Sequence, residues 1–206
     1  MKTLLFQGDS ITDCGRTAFG DGNNMGMGYP SFIAAQLLGD HPEKNWNIIN
    51  RGISGDRIVD LYARWKKDTL NLKPDILSIL IGVNDTLHER NQNGVDVPRY
   101  DKFYRMLMDW TLEILPDIKI ILMEPFAYPF GYVEEFWIPE INARQEVVRK
   151  IAEEYHTAFI PLQDIFNDAL NRAPREYWIG DGVHPSSAGH RLIQKAWLET
   201  ADDLVK

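Results

Sequence analysis

Apolar positions along this chain follow two rhythms, short unbroken runs and longer stretches spaced three or four residues apart, and their alternation predicts strands followed by helices. Thr3, Leu4, Leu5 and Phe6 leave no polar face, so residues 2–6 predict a buried strand that stops at Gly8. Tyr29, Phe32, Ile33 and Leu37 recur at helical spacing, and Gly39 closes that helix. Residues 46–50 predict a second strand. Ile58, Leu61, Tyr62 and Trp65 then mark an amphipathic helix whose outer face carries Arg64, Lys66, Lys67 and Asp68. The run 75–81, with Ile76, Leu77, Ile79, Leu80 and Ile81, is apolar on both faces, as a central parallel strand requires. A helix through Tyr100, Phe103, Tyr104, Leu107 and Leu115 ends at Pro116, and residues 118–123 predict a fourth strand. Ile141, Val147, Val148 and Ile151 predict a helix, residues 158–161 a fifth strand, Leu162, Ile165, Phe166 and Leu170 a short helix, and Leu192, Ile193 and Trp197 the last one.

Strands alternating with helices, with no repeat, linker or low-complexity tract, specify one domain over residues 1–206. The expected class is α/β, a three-layer α/β/α sandwich on a five-stranded parallel sheet. Two stretches interrupt the rhythm. Asp13 to Gly28, with glycines at 15, 20, 22, 26 and 28, predicts a loop. Its Gly20-Asp-Gly22 and Gly26 miss the spacing of a dinucleotide-binding fingerprint and do not follow a strand directly. Residues 126–137 are crowded with aromatics, which suit a sugar-stacking surface, a subunit contact or internal packing.

Composition narrows the partners. Apolar residues make up 44% and charged residues 25%, as in a water-soluble globular chain. A net charge of -8 with no basic cluster argues against nucleic acid or an anionic membrane and leaves neutral small molecules and sugars open. Cys14 is the lone cysteine, so no internal disulfide or cysteine-based zinc site can form, which suits a reducing compartment. With no apolar run of export-signal or membrane-span length, the expected location is cytoplasmic. A monomer and a homo-oligomer both remain open.

Parallel sheets deliver the loops after their strands to one edge, where ligands bind. The first three such loops carry Ser10, Gly52 and Asn84. A serine that attacks an ester needs a base, an acid to orient that base, and donors for the developing oxyanion. Of the five histidines, His184 alone lies in a tight Asp-Gly-Val-His-Pro turn, and Asp181 can fold back to one ring nitrogen while the other faces the serine. The same residues have plainer uses: a capped helix start for Asp181 and His184, a turn glycine for Gly52, an Asx turn for Asn84. Asp9 reads as fixing the turn, and Cys14 as a neighbour without a base. His184 and His190 are not spaced as a helical zinc pair, and Asp9, Asp13 and Asp85 lack calcium-loop spacing, so no metal or cofactor is expected.

Taken together and in order, Gly8-Asp9-Ser10, Gly52, Gly82-Val83-Asn84-Asp85 and Asp181-Gly-Val-His184-Pro185 resemble the four blocks of the SGNH hydrolases, the GDSL-like esterase and lipase superfamily, across nearly the whole chain. The resemblance implies Ser10 as nucleophile, Asp181 and His184 as the rest of a triad, Ser10, Gly52 and Asn84 as the oxyanion hole, and a flavodoxin-like sheet. The serine block lacks the second glycine of the ordinary α/β-hydrolase elbow. Within the superfamily, Gly8 to Arg16, Arg51 to Asp56, Ala63-Arg-Trp65 and His184 to His190 are similar to intracellular acetyl-xylooligosaccharide esterases, which implies a small acetylated sugar as substrate. A lysophospholipase or acyl-thioesterase on the same residues, and a non-catalytic carbohydrate-binding protein, are the alternatives.

Overall fold

The structure, a computed structural model, describes residues 1–17 and 24–205. Five strands, β1 (Lys2–Gly8), β2 (Trp46–Asn50), β3 (Ile76–Leu80), β4 (Lys119–Met123) and β5 (Ala158–Ile160), make one sheet in the order β2-β1-β3-β4-β5, with every pairing parallel. This is the flavodoxin-like order. The chain steps from β1 to β2 on one side and then crosses to β3 on the other, so a crevice opens at the C-terminal ends of β1 and β3.

Side chains alternate across the strands, and both faces are covered. Leu4, Phe6, Ile76, Leu80, Ile121 and Met123 pack in one layer with Ile33 of α2 (Tyr29–Asp40), Phe166 of α7 (Leu162–Ala169) and Trp197 of α9 (Ser187–Thr200). On the other face Leu5, Leu77, Ile79, Ile120 and Leu122 meet Trp65 of α3 (Ile58–Asp68), Leu107 of α5 (Val97–Ile114) and Val148 of α6 (Ile138–Glu154). Each such side chain contributes about 1.5–3 kcal/mol relative to exposure, which is why the strands read as unbroken apolar runs. Two polar exceptions on the strands are paired. Buried Gln7 donates to Thr69 Oγ1 at 2.7 Å, and Ser78 Oγ accepts from Trp197 Nε1 at 2.9 Å.

Local structure departs from expectation at the strand ends. Where loops were expected, α1 (Ser10–Asp13) follows β1 and α4 (Val83–Leu87) follows β3. Asp9 starts α1 by accepting the Ile11 N–H on Oδ1 at 3.0 Å, in keeping with its reading as the residue that fixes this turn. Two further short helices, α8 (Arg175–Trp178) and α10 (Asp202–Val205), were not expected. Gly20-Asp-Gly22 lies outside the described residues. In the aromatic segment Phe126, Tyr128 and Trp137 are buried, and Phe126 stacks on Phe166, whereas Tyr132 and Phe136 are exposed. No helix among the described residues is long and apolar enough to cross a membrane.

Candidate active site

Ser10 is the first residue of α1, set at the mouth of the β1–β3 crevice by the end of β1. Its Oγ stands 2.8 Å from Nε2 of His184, a residue 174 positions away. His184 Nδ1 in turn stands 2.8 Å from Asp181 Oδ2. The other carboxylate oxygen, Oδ1, accepts the backbone N–H of His184 at 2.8 Å and that of Val183 at 3.1 Å. The turn itself is held from outside by Tyr128 N–H on Gly182 O and Tyr132 N–H on Asp181 O, both at 2.9 Å. Burial pushes the Asp181 carboxyl up, but the N–H donors from His184 and Val183 outweigh it and hold it below the ordinary carboxylate range. An ionised Asp181 fixes the proton on Nδ1, so the Nε2 lone pair faces the serine hydroxyl. The structure therefore brings Ser10, His184 and Asp181 together.

The loop after β2 is stapled to the same place. Ile53 N–H donates to Gly8 O and Ser54 N–H to Asp13 Oδ2, each at 3.0 Å, while Asn84 Nδ2 donates to Asp56 O at 3.1 Å. Position 52 must be glycine because a Cβ there would lie 2.5 Å from Asp13 N. Its N–H, expected as a free donor, is instead committed to Asn50 Oδ1 at 2.9 Å. Gly55, which is not among the donors expected from the sequence, has φ +88°, and among the described residues its N–H meets no acceptor. It sits between Ser54, tied to the serine helix, and Asp56, tied to Asn84. Asn84 spends one amide hydrogen on Asp56 and keeps the second. Nothing in Gly52-Ile-Ser-Gly55 distinguishes the two glycines; the discriminating partner is the Asn50 side chain, buried beneath them.

Two carboxyls under the site are strongly desolvated. Burial pushes Asp9 up to about 7 against the bond from Ile11 N–H, and Asp85 up to about 8 against the bond from Ile58 N–H and the charge of Arg144. An acid whose folded pKa exceeds its unfolded value of about 4 holds its proton more tightly in the fold, so this contribution favours the fold at low pH and is lost as pH rises towards 8. We expect Asp85→Asn to flatten the decline in Tm between pH 5 and 8; a Tm–pH profile parallel to that of the parent protein contradicts the assignment.

Cys14 Sγ lies 3.5 Å from His190 Nε2. His190 Nδ1 accepts the Tyr29 N–H, so its proton sits on Nε2, and burial followed by the nearby His184 charge depresses its pKa to about 4. This imidazole offers the thiol no base, and burial pushes the thiol up. Among the described residues no group of three or more His, Cys, Asp or Glu side chains could hold a metal ion.

A sequence profile of the GDSL-like lipase/acylhydrolase family matches residues 6–192. The chain belongs to that family. The hydrolase is 38% identical to an acetylxylan esterase of Geobacillus stearothermophilus, with 96% of this chain and 92% of the relative covered. A crystal structure of that esterase superposes with a TM-score of 0.86 at 35% identity over 97% of this chain and 93% of the other. Crystal structures of its catalytic mutants include a serine-to-alanine and a histidine-to-alanine replacement. A protein described as a GDSL-like lipase from Parabacteroides merdae matches with a TM-score of 0.93 at 40% identity, covering 100% of this chain and 96% of that one. The hydrolase is accordingly a carboxylic ester hydrolase.

Proposed function

We propose that this hydrolase removes acetyl groups from small acetylated sugars, xylooligosaccharides foremost, through a serine acyl-enzyme. The observation that carries the reading is the relay of 2.8 Å contacts from Ser10 Oγ through the His184 ring to Asp181. In the first step Oγ bonds to the ester carbonyl carbon and its proton passes to Nε2; collapse of the tetrahedral intermediate breaks the bond to the sugar oxygen, which leaves with that proton. Water then repeats the sequence on the acyl-enzyme, yielding acetate and free Ser10. The oxyanion is met by the Ser10 amide at the start of α1, the unspent Asn84 hydrogen and the Gly55 amide, with Gly52 as the packing glycine beside them.

A short acyl group and a polar alcohol suit the surroundings. Asp13 at the end of the serine helix, with Ser54, Arg16 and Asn84 beside it, forms a hydrogen-bonded polar rim that favours a sugar over a long hydrocarbon. The relative's name as an acetylxylan esterase supports the same substrate class. A lysophospholipase or thioesterase would show the reverse preference. We expect kcat/KM on p-nitrophenyl acetate to exceed that on the octanoate by at least about tenfold, since each misplaced methylene in a pocket is worth roughly 1–3 kcal/mol. Rates that climb with acyl length would overturn the acetyl assignment.

A further inference from the structure

A cleft of about 440 Å³ lies at the C-terminal edge of β4 and β5, within the range of about 300–1,000 Å³ usual for small-molecule sites. It is lined by Tyr128, Asn142, Gln145, Gln163 and Asn167, with Ile138 and Pro129 adding apolar surface. These groups come from separate elements but are held in register. The Tyr128 hydroxyl donates to Asn167 Oδ1 at 2.8 Å, Gln163 Nε2 donates to the same oxygen at 3.2 Å, and Gln163 Oε1 accepts from Ala127 N–H at 3.1 Å. Gln145 Nε2 donates to Pro125 O at 3.0 Å. Glu124, buried under this edge, fixes the start of α7 by accepting the Gln163 N–H at 2.9 Å. Asn142 keeps its amide free of any partner among the described residues.

We propose that this cleft is a carbohydrate subsite that holds the unacetylated part of an oligosaccharide; this rests on the sugar-esterase reading. Amide side chains both donate and accept, which matches hydroxyls that do the same, and pyranose carbon faces suit the partly exposed Pro129 and Ile138 surfaces. The lining holds no lysine or arginine and one carboxylate, Glu146, so an anionic ligand is disfavoured. The cleft and the catalytic turn also share a wall: the Tyr128 side chain lines the one while its N–H holds Gly182 of the other.

The test pairs binding with kinetics. In the Ser10→Ala protein, unacetylated xylotriose titrated by calorimetry should give a saturable isotherm, and adding Asn142→Leu and Asn167→Leu, both at exposed helix positions, should weaken it about tenfold or more, equivalent to at least about 1.4 kcal/mol. With Ser10 intact, the same pair should lower kcat/KM for acetylated xylotriose relative to p-nitrophenyl acetate by a similar factor, carried in KM. Failure of the esterase reading shows as no hydrolysis of p-nitrophenyl acetate by the parent protein. Failure of the subsite shows as hydrolysis without xylotriose binding, or as binding and a substrate ratio that the two leucines leave unchanged.

Discussion

Ser10→Ala should reduce kcat on p-nitrophenyl acetate by about 10⁵–10⁶, to the level that binding and oxyanion donors alone sustain. The size follows from the absence of a substitute nucleophile. Cys14, one turn along, faces an imidazole whose Nε2 already carries a proton. The hydroxyl of Ser10 bonds only His184 among the described residues, so its loss should leave Tm and the far-ultraviolet circular dichroism unchanged. A variant that retained more than about one per cent of parental turnover would remove Ser10 from the chemistry.

Asp181→Asn should lower kcat by about 10⁴ and leave KM and the fold nearly unaltered. Here the geometry decides which way the amide turns. Because Oδ1 takes two backbone N–H groups, from Val183 and His184, an asparagine keeps its oxygen there and directs Nδ2 at the ring. Nδ1 must then accept, the ring proton moves to Nε2, and the lone pair that should receive the serine proton is gone. Combined with Ser10→Ala, the asparagine should add little, since residues that act as one unit fail together. A loss confined to KM, or a fully additive double variant, would contradict a role for Asp181 in orienting the base.

Much of this architecture could be read from residue pattern because parallel strands covered on both faces admit few polar side chains. Residues 46–50 matched β2, and the run 75–81 contained β3 with one extra residue before it and one after. The expected five-stranded parallel α/β/α sandwich is what the structure has. The site was legible only in part. Asp181 and His184 share a local turn, so their spacing carried the information. Gly55 and Gly52 look alike in one dimension, and which amide stays free depends on Asn50 folding beneath the loop. Likewise the amides at 142, 145, 163 and 167 are scattered over two helices and mean nothing together until β4 and β5 lie side by side. The aromatic segment divides along physical lines: its buried rings complete the core, and Tyr128 also lines the cleft.

The bond between Ser10 and His184 joins the first strand's end to a turn that emerges from the ribosome 174 residues later. On the proposed triad, a growing chain carries its serine through almost the whole of its synthesis without the imidazole that activates it. On that proposal, ester turnover in a translation reaction reports the arrival of chains long enough to fold the turn at residue 184 onto the end of the first strand.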